Sequence, residues 1–364
     1  MEENHYSKKI YLLLLFITFV LIGALCKLLS SVILPVVITV LLTFSFYPPI
    51  KKLNEKLHFP WILSVLIILL LFVGFLLGMS TLLVKGLSSI VIELPKYEDR
   101  FISIFNVIAD NFNLSYDFEQ SLFNNLWAID KVRDELQKII FYLSSGIFSG
   151  GKTFLMIFLL LIFLLIEINS LKTRIINHLG PKPQFDLIKI IRQIISDVSH
   201  YLSIKFFISL ATGILVYLFS LFIGLNFPII WGFTAFILNF IPTFGSIFST
   251  LITTLFALLQ FYPSYGKVIF VFIYMILINM TLGNVLEPRI EGKQLGLSPF
   301  FILVSLSLFG WLWGFIGMII AVPLTVLMKI VCENIPDLKM IAIILGENRE
   351  SKINLFKNKF KKKK

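Results

Sequence analysis

Residues 228–259 read PIIWGFTAFILNFIPTFGSIFSTLITTLFALL, and this stretch decides the fold of the chain. It carries no charged residue, and as one straight helix it would reach roughly 46 Å, well beyond the ~30 Å hydrocarbon core of a bilayer. A second stretch, Phe300–Ile330, has the same excess of length. Both contain helix breakers near the middle: Ile241-Pro242-Thr243-Phe244-Gly245 in the first, and Gly310, Gly314 and Gly317 in the second. Each stretch is therefore expected to be broken rather than straight.

Two topologies fit the broken stretches. If each crosses the membrane once, the loop Glu287–Pro299 between them lies outside, and if each is a re-entrant helical hairpin, the loop lies inside. Arg289 and Lys293 in this loop favour the inside placement, and the excess length also favours hairpins. Ile204–Leu259 and Val268–Ile330 would then form an inverted repeat, in which broken helices build a substrate site near the midplane. The alternative is that the proline and the glycines are ordinary kinks or close-packing positions.

The composition outside these stretches also indicates a membrane protein. Hydrophobic residues make up 57% and charged residues 15% of the 364 positions, whereas soluble domains have about 45–50% and about 25%. Further apolar runs are Ile10–Cys26, Trp61–Val84, Phe154–Ile166, Ile204–Phe222 and Val268–Leu286. Because lipid offers the backbone no hydrogen bonds, these runs predict helices, and no alternating pattern of barrel strands is present. The predicted fold class is all-α, a polytopic α-helical membrane protein.

The positive charge of the chain indicates its orientation in a membrane and not a nucleic-acid partner. The net charge is +11, but Lys and Arg collect in short loops and in the tail Lys352–Lys364. This placement predicts cytoplasmic N- and C-termini in a bacterial inner membrane, with the lipid bilayer as the partner and no nucleic acid. The tail is either solvated or in contact with anionic headgroups.

The chain divides by composition into six predicted regions, with a turn near Lys27–Pro35 between the first two crossings. They are three membrane segments in 1–85; an external helical lobe in 86–146, where acidic residues are in excess; a fourth segment in 147–168; a cytoplasmic loop with an amphipathic interfacial helix in 169–203; a membrane core with both broken stretches in 204–335; and a basic cytoplasmic tail in 336–364.

No motif in the sequence predicts catalysis, a metal or a cofactor. Gly146–Thr153 formally matches the phosphate-loop pattern G-x4-G-K-T, but it runs directly into a membrane span instead of following a strand. The four histidines are scattered, and Cys26 and Cys332 lie far apart in the sequence. We expect neither an enzyme nor a disulfide framework.

Polar residues inside the predicted membrane core are the candidates for a site, because unsatisfied amides are costly in hydrocarbon. Candidates for solute binding or gating are Asn239, Pro242, Gly245, Asn279, Asn284, Glu287, Gly310, Gly314 and Gly317, and Thr281 lies beside them. The amides could instead bond neighbouring helices. Glu287 is the strongest candidate, either as a carrier of a proton or cation or as a partner of Arg289 or Lys293.

The run NVLEPRIEGKQLGLSP at 284–299 resembles the signature of the autoinducer-2 exporter family of permeases. The runs GWLWGFIGMIIAVPL at 310–324 and NFIPTFG at 239–245 agree with the same pattern. Glu287, Pro288, Gly292, Gly296 and Pro299 are the positions of the family motif.

The resemblance implies about eight membrane segments, an external lobe and a homo-oligomer such as a pentamer. It implies transport of a small polar solute, with export of an autoinducer-type signalling molecule as the leading expectation. Sodium–proton antiport, with H+ or Na+ as the ion and Glu287 as the titrating group, is one alternative. An oligomeric scaffold that carries no solute is another.

Overall fold

The computed structural model is helical throughout the part of the chain that it describes. Described residues are 14, 17, 18, 20–97, 100, 103, 104, 107, 134, 137–139, 141, 151–178, 181–291, 296–335 and 338–346. Within these ranges no strand is formed, and seven helices are long and apolar enough to cross a membrane. The all-α polytopic fold is thus confirmed. Most of the predicted external lobe and the motif residue Gly292 lie outside the described residues.

The helices follow one another in chain order with few breaks. Their bounds are α1 Ser30–Lys56, α2 Trp61–Glu93, α3 Gly151–His178, α4 Pro181–Ile223, α5 Pro228–Leu238, α6 Phe244–Phe261, α7 Tyr265–Ile278, α8 Glu287–Glu291, α9 Pro299–Asn334 and α10 Lys339–Leu345. A 3₁₀ turn, Leu94–Tyr97, follows α2, and a π-helix, Asn279–Leu286, joins α7 to α8.

The chain forms two compact units, each assembled from separated parts of the sequence. The first unit comprises Met1–Val65, Leu155–Leu202 and Lys293–Lys364, and the second comprises Leu66–Phe154 and Ser203–Gly292. Each unit contains one of the two broken stretches predicted from the sequence. The two stretches are therefore described within their own units.

The broken stretch of the second unit is a helical hairpin made of α5 and α6. Asn239–Thr243 separates the two helices, and Thr243 adopts a positive φ of 64°. A Cβ built on Gly245 would lie 1.7 Å from the Leu238 carbonyl oxygen, although seven residues of straight helix span about 10 Å. The chain therefore reverses here, and only glycine fits where the arms touch.

The broken stretch of the first unit is also a hairpin, and the range Pro299–Asn334 contains its two helical arms. Within α9, Trp313 and Gly314 leave helical geometry, and Gly314 has a φ of 63°. A Cβ on Gly317 would lie 1.9 Å from the Phe309 carbonyl oxygen. In a straight helix, residues 309 and 317 would be separated by about 12 Å. The backbone therefore reverses in both stretches. That each is a re-entrant hairpin in the membrane, and that the two have opposite orientations, stays a prediction.

Two boundaries that we expected are absent. The predicted interfacial helix and the following span are parts of one helix, α4, because no proline or glycine separates Leu202 from Ile204. The predicted turn near Lys27–Pro35 is reduced to Leu29, whose N–H bonds Leu25 O at 2.9 Å and whose carbonyl accepts Ile33 N–H at 2.9 Å. Helical bonding continues on both sides, so a bend replaces the expected loop.

A close helix crossing supports the first arm of the second unit's hairpin. A Cβ on Gly213 of α4 would lie 2.8 Å from the Gly232 carbonyl oxygen of α5, and a Cβ on Gly232 would lie 2.8 Å from the Gly213 oxygen. Small residues of this kind allow two membrane helices to approach closely. The adjacent Trp231 is buried and donates from Nε1 to Asn226 O at 2.7 Å.

The turn before α5 is anchored at the end of α2. Asn226 Nδ2 donates to the Tyr97 hydroxyl at 2.6 Å, and Gln260 Nε2 donates to Gly224 O at 2.7 Å. Burial raises the pKa of the Tyr97 phenol above its ordinary value, so the hydroxyl keeps its proton at physiological pH. These bonds hold the ends of the hairpin arms that are remote from the turn at Asn239–Thr243. The turn itself borders a cavity.

A polar cavity as candidate functional site

A cavity of about 550 Å³ lies inside the second unit, beside the turn of its hairpin. Its wall is formed by the hairpin turn, the first turns of α6 and one side of α7 and the π-helix. The polar residues that line it are Lys205, Asn239, Thr243, Ser246, Thr250, Asn279, Asn284 and Glu287. This volume lies within the range of small-molecule sites, about 300–1,000 Å³.

The π-helix Asn279–Leu286 sets which side chains reach the cavity. Hydrogen bonds in a π-helix close from residue i to i+5, and such segments are frequent at functional sites. This spacing brings Asn279 and Asn284 to the same side, and both line the cavity together with Gly283. An apolar α-helix would have been expected from the sequence, so the π-helix is a feature that hydropathy could not predict.

The cavity contains a buried ion pair. Lys205 Nζ lies 2.5 Å from Glu287 Oε1, and the two side chains are 4% and 13% exposed. The sequence suggests Arg289 or Lys293 as the alternative partner of Glu287; the structure pairs Glu287 with Lys205, and Lys293 lies outside the described residues. In a buried pair, the attraction between the opposite charges offsets the cost of removing them from water. Removal of one partner therefore costs about 3–5 kcal/mol.

Lys205 is the charged residue of the cavity wall that the sequence pattern did not predict. It is the second residue of the run Ile204–Phe222, which was treated as uniformly apolar. A lysine beside an apolar run is often a snorkelling or topology-setting residue, but here its side chain is buried. A membrane lysine with a membrane glutamate elsewhere in the chain was the signal that could have predicted the pair.

The amide groups at the cavity wall are hydrogen-bonded through their nitrogen atoms. Asn279 Nδ2 donates to Thr250 Oγ1 at 2.9 Å and to Ser246 O at 3.4 Å. Asn239 Nδ2 donates to Ser209 Oγ at 3.0 Å. With these donors engaged, the amide carbonyl oxygens are the groups left to accept hydrogen bonds from a guest. Asn284 Nδ2 contacts only Met280 Sδ, at 3.2 Å, among the described residues.

Other predicted site residues lie near the cavity or outside it. Pro242 lines the cavity, whereas Gly245 packs against Leu238 O at the base of the turn. Thr281 bonds its own helix at Leu277 O, 2.7 Å. Gly310, Gly314 and Gly317 belong to the hairpin of the first unit and do not line this cavity; Gly310 approaches Met318 there. Their role in gating stays a prediction.

The family-motif positions have separate structural tasks. Glu287 and Pro288 begin α8, and Pro299 is the first residue of α9. Gly296 adopts a φ of 50°, and its carbonyl oxygen accepts a bond from Lys329 Nζ at 3.0 Å. Within the first unit, Leu297 pairs with Gly346 in an isolated antiparallel bridge, and Ser298 N–H donates to Leu345 O at 3.0 Å.

Apolar helices long enough to span a bilayer, together with a cavity lined by amides, hydroxyls and one ion pair, define a polytopic membrane protein of the transporter class. Comparison with known proteins agrees with this class. Residues 11–337 match the pattern described as AI-2E family transporter. The chain belongs to this family and is a membrane transporter.

Relatives in other bacteria cover almost the same length. A protein of Borreliella burgdorferi, named for a transport role, is 31% identical over 91% of this chain and 88% of its own length. One of Haemophilus influenzae, named likewise, is 29% identical over 90% and 93%. The AI-2 transport protein TqsA of Escherichia coli strain K12 is 28% identical over 88% of this chain and 91% of its own.

Proposed function

We propose that the chain is a secondary transporter that moves a small polar solute through the cavity of the second unit. The observation that carries this proposal is the polar lining inside otherwise apolar helices: three asparagines, three hydroxyl side chains and an ion pair around about 550 Å³. Polar groups at membrane depth are costly unless they bond each other or a guest. Asn239 and Asn279 meet the first need through their nitrogens and offer their oxygens for the second.

The solute that we propose is an autoinducer-type signalling molecule, and the direction is export. The support is the Escherichia coli relative named as an AI-2 transport protein, which aligns over 326 residues. A small, hydroxylated molecule would fit the acceptor oxygens of the cavity wall. We place the protein in the bacterial cytoplasmic membrane with both termini in the cytoplasm, and we propose a homo-oligomer such as a pentamer.

A second candidate is cation–proton antiport, and the Lys205–Glu287 pair favours it. A cation that binds Glu287 must displace the lysine ammonium, because a buried site tolerates little net charge. Loss of the lysine proton would then accompany binding of Na+ or another monovalent cation. Neutral solute transport requires no such exchange, so the two candidates differ in their demand for Glu287 as an ionised group.

The test is reconstitution of the purified protein in liposomes. Efflux of an autoinducer-2 preparation and of ²²Na+ is measured with and without an opposing proton or sodium gradient. We expect gradient-linked efflux of the signalling molecule from wild-type vesicles, and no efflux from vesicles without protein. The absence of flux for both solutes would favour the scaffold alternative and contradict the proposal.

Glu287→Gln separates the two candidates. The amide keeps the size of the side chain and can still accept a bond from Lys205, but it cannot titrate. Loss of ²²Na+ exchange with retained efflux of the neutral solute supports solute transport as the main activity. Loss of both, with the protein still folded by thermal unfolding, supports ion-coupled transport through Glu287.

A further inference from the structure

Three buried hydroxyl groups of the second unit are without a hydrogen-bond partner among the described residues. They are Ser220 Oγ, Thr253 Oγ1 and Thr254 Oγ1. The usual partner of a helical threonine is the carbonyl oxygen four residues before it. Four other buried threonines of this chain use it at 2.7–2.8 Å: Thr39, Thr43, Thr212 and Thr325. The hydroxyls of α6 therefore depart from the pattern followed elsewhere in the same protein.

The two threonines lie directly beyond the cavity on the same helix. The cavity follows α6 from its first turns to Thr250 and Leu251. Thr253 and Thr254 are three and four residues beyond Thr250, so all three share one face of the helix. Thr253 is 1% exposed, so neither lipid nor bulk water supplies a partner. A buried hydroxyl left in this state needs an explanation, and a guest that binds there provides one.

The surroundings of this face exclude a charged guest. Ala257, one turn further along α6, packs in an apolar cluster with Val271 and Met275 of α7. An ion at Thr253 would lose its water without gaining an opposite charge, whereas Lys205 and Glu287 already neutralise each other at the cavity. Hydroxyl groups both donate and accept, so they match the hydroxyls of a neutral solute.

We propose that Thr250, Thr253 and Thr254 form a hydroxyl-lined path by which a neutral, hydroxyl-bearing solute moves from the cavity along α6 as far as Thr254. This inference rests on the proposed function and adds a second binding station to it. Asn279 holds Thr250 at 2.9 Å at the start of the path. The solute then forms hydrogen bonds first with Thr253 and then with Thr254. Each new hydrogen bond replaces the one that the solute made at the previous position.

The test compares Thr253→Val with a matched control, Thr212→Val. Valine has the shape of threonine without its hydroxyl. Thr212 is 1% exposed in the same unit, but its hydroxyl bonds Ile208 O at 2.8 Å. The full-length protein is purified for each variant. Two quantities are measured, the Tm in detergent and the flux of xylitol into proteoliposomes.

The two variants should change in opposite ways. Thr253→Val should keep or raise the Tm, because it removes a hydroxyl that bonds no group among the described residues, and should reduce xylitol flux about tenfold, as expected for one lost solute bond. Thr212→Val should lower the Tm and keep the flux of wild type. This opposition distinguishes a solute station from a purely structural threonine.

Four outcomes would overturn the path. Wild-type xylitol flux in Thr253→Val would mean that the solute does not use this hydroxyl, and a drop in Tm equal to that of Thr212→Val would mean that the hydroxyl is bonded within the protein. A wild-type protein that carries autoinducer-2 but not xylitol would overturn the ligand class while leaving the proposed function standing. A wild-type protein that carries no solute would remove the proposed function and the path together.

Discussion

The two hairpins of this chain use the same backbone device in different chemical surroundings. In the second unit, the turn of α5 and α6 borders a cavity of amides, hydroxyls and an ion pair. In the first unit, α9 turns at Gly314, and its buried hydroxyls bond their own helix: Ser305 to Ile302 O and Thr325 to Ala321 O, each at 2.8 Å. A broken helix is thus not a solute site by itself. The polar groups that its own backbone leaves unsatisfied are what distinguish the site.

The largest difference between the two units is expected in the stability lost when one partner of an ion pair is removed. Glu287→Ala leaves Lys205 buried and unpaired, which should cost about 3–5 kcal/mol and abolish ion-coupled flux. In the first unit, Glu333→Ala should cost at most about 1 kcal/mol, because Glu333 is 41% exposed and 3.6 Å from Lys329. Thermal unfolding of both variants measures the contrast. Equal losses would show that burial does not separate the two pairs.

A double replacement sharpens this result. Lys205→Met combined with Glu287→Leu removes both charges and keeps similar volumes, so most of the stability lost in Glu287→Ala should return. Transport coupled to an ion should stay absent, since no titratable group is left at the pair. Recovery of coupled flux in the double variant would show that the pair is only structural.

The glycines at the turns should behave alike in the two units. Gly245→Ala and Gly317→Ala each place a methyl group within 2 Å of a backbone carbonyl oxygen, 1.7 Å and 1.9 Å respectively. Each should cost about 3 kcal/mol, at the upper end of overpacking, because backbone cannot move aside as a side-chain tip can. Unfolding in detergent is the measurement. A variant with wild-type stability would contradict the close approach of the arms at that turn.

The amide of Asn279 should affect transport more than stability. Asn279→Leu removes the bonds to Thr250 Oγ1 and Ser246 O, and it deletes an acceptor oxygen at the cavity wall. We expect efflux to fall about tenfold, the equivalent of one bond to the solute. Ser305→Ala in the other hairpin is the control and should leave efflux unchanged. Equal efflux in both variants would place the solute elsewhere.

The smallest effect is expected at Thr325 of the first unit's hairpin. Its hydroxyl bonds Ala321 O, so Thr325→Val should lower the free energy of unfolding by about 1 kcal/mol. Efflux in proteoliposomes should match wild type, since this residue belongs to the hairpin without the cavity. A strong loss of efflux in Thr325→Val would contradict the claim that only the hairpin of the second unit borders the solute site.

Sequence patterns were sufficient for the fold class and for both hairpins. Excess length and central breakers are local properties, and they predicted the reversal at Asn239–Thr243 and at Gly314. Four predicted polar residues, Asn239, Asn279, Asn284 and Glu287, line one cavity, because polar groups in the membrane core are costly unless they bond each other or face a cavity.

The partner of Glu287 could not be predicted, because it is a tertiary pairing across 82 residues and hydropathy averages a single lysine away. The π-helix was equally hidden, since its backbone bonding leaves no mark on the apolar pattern of residues 279–286. The continuity of α4 was not predicted, because the interfacial helix and the following span differ in hydropathy although one backbone helix connects them. All three depend on contacts or backbone geometry that a one-dimensional pattern does not contain.

The most direct measurement uses a thiol in the cavity. Cys26 and Cys332 are unpaired thiols and are replaced by Ser, and Ser246→Cys then places one reactive group in the cavity wall; Thr325→Cys in the other hairpin is the control. We predict that a small methanethiosulfonate reagent blocks efflux of the signalling molecule in the Ser246→Cys variant but not in the Thr325→Cys variant. Excess solute should slow the labelling of the thiol at position 246. Modification of Ser246→Cys with full efflux and no protection by solute would contradict passage of the solute through the polar cavity.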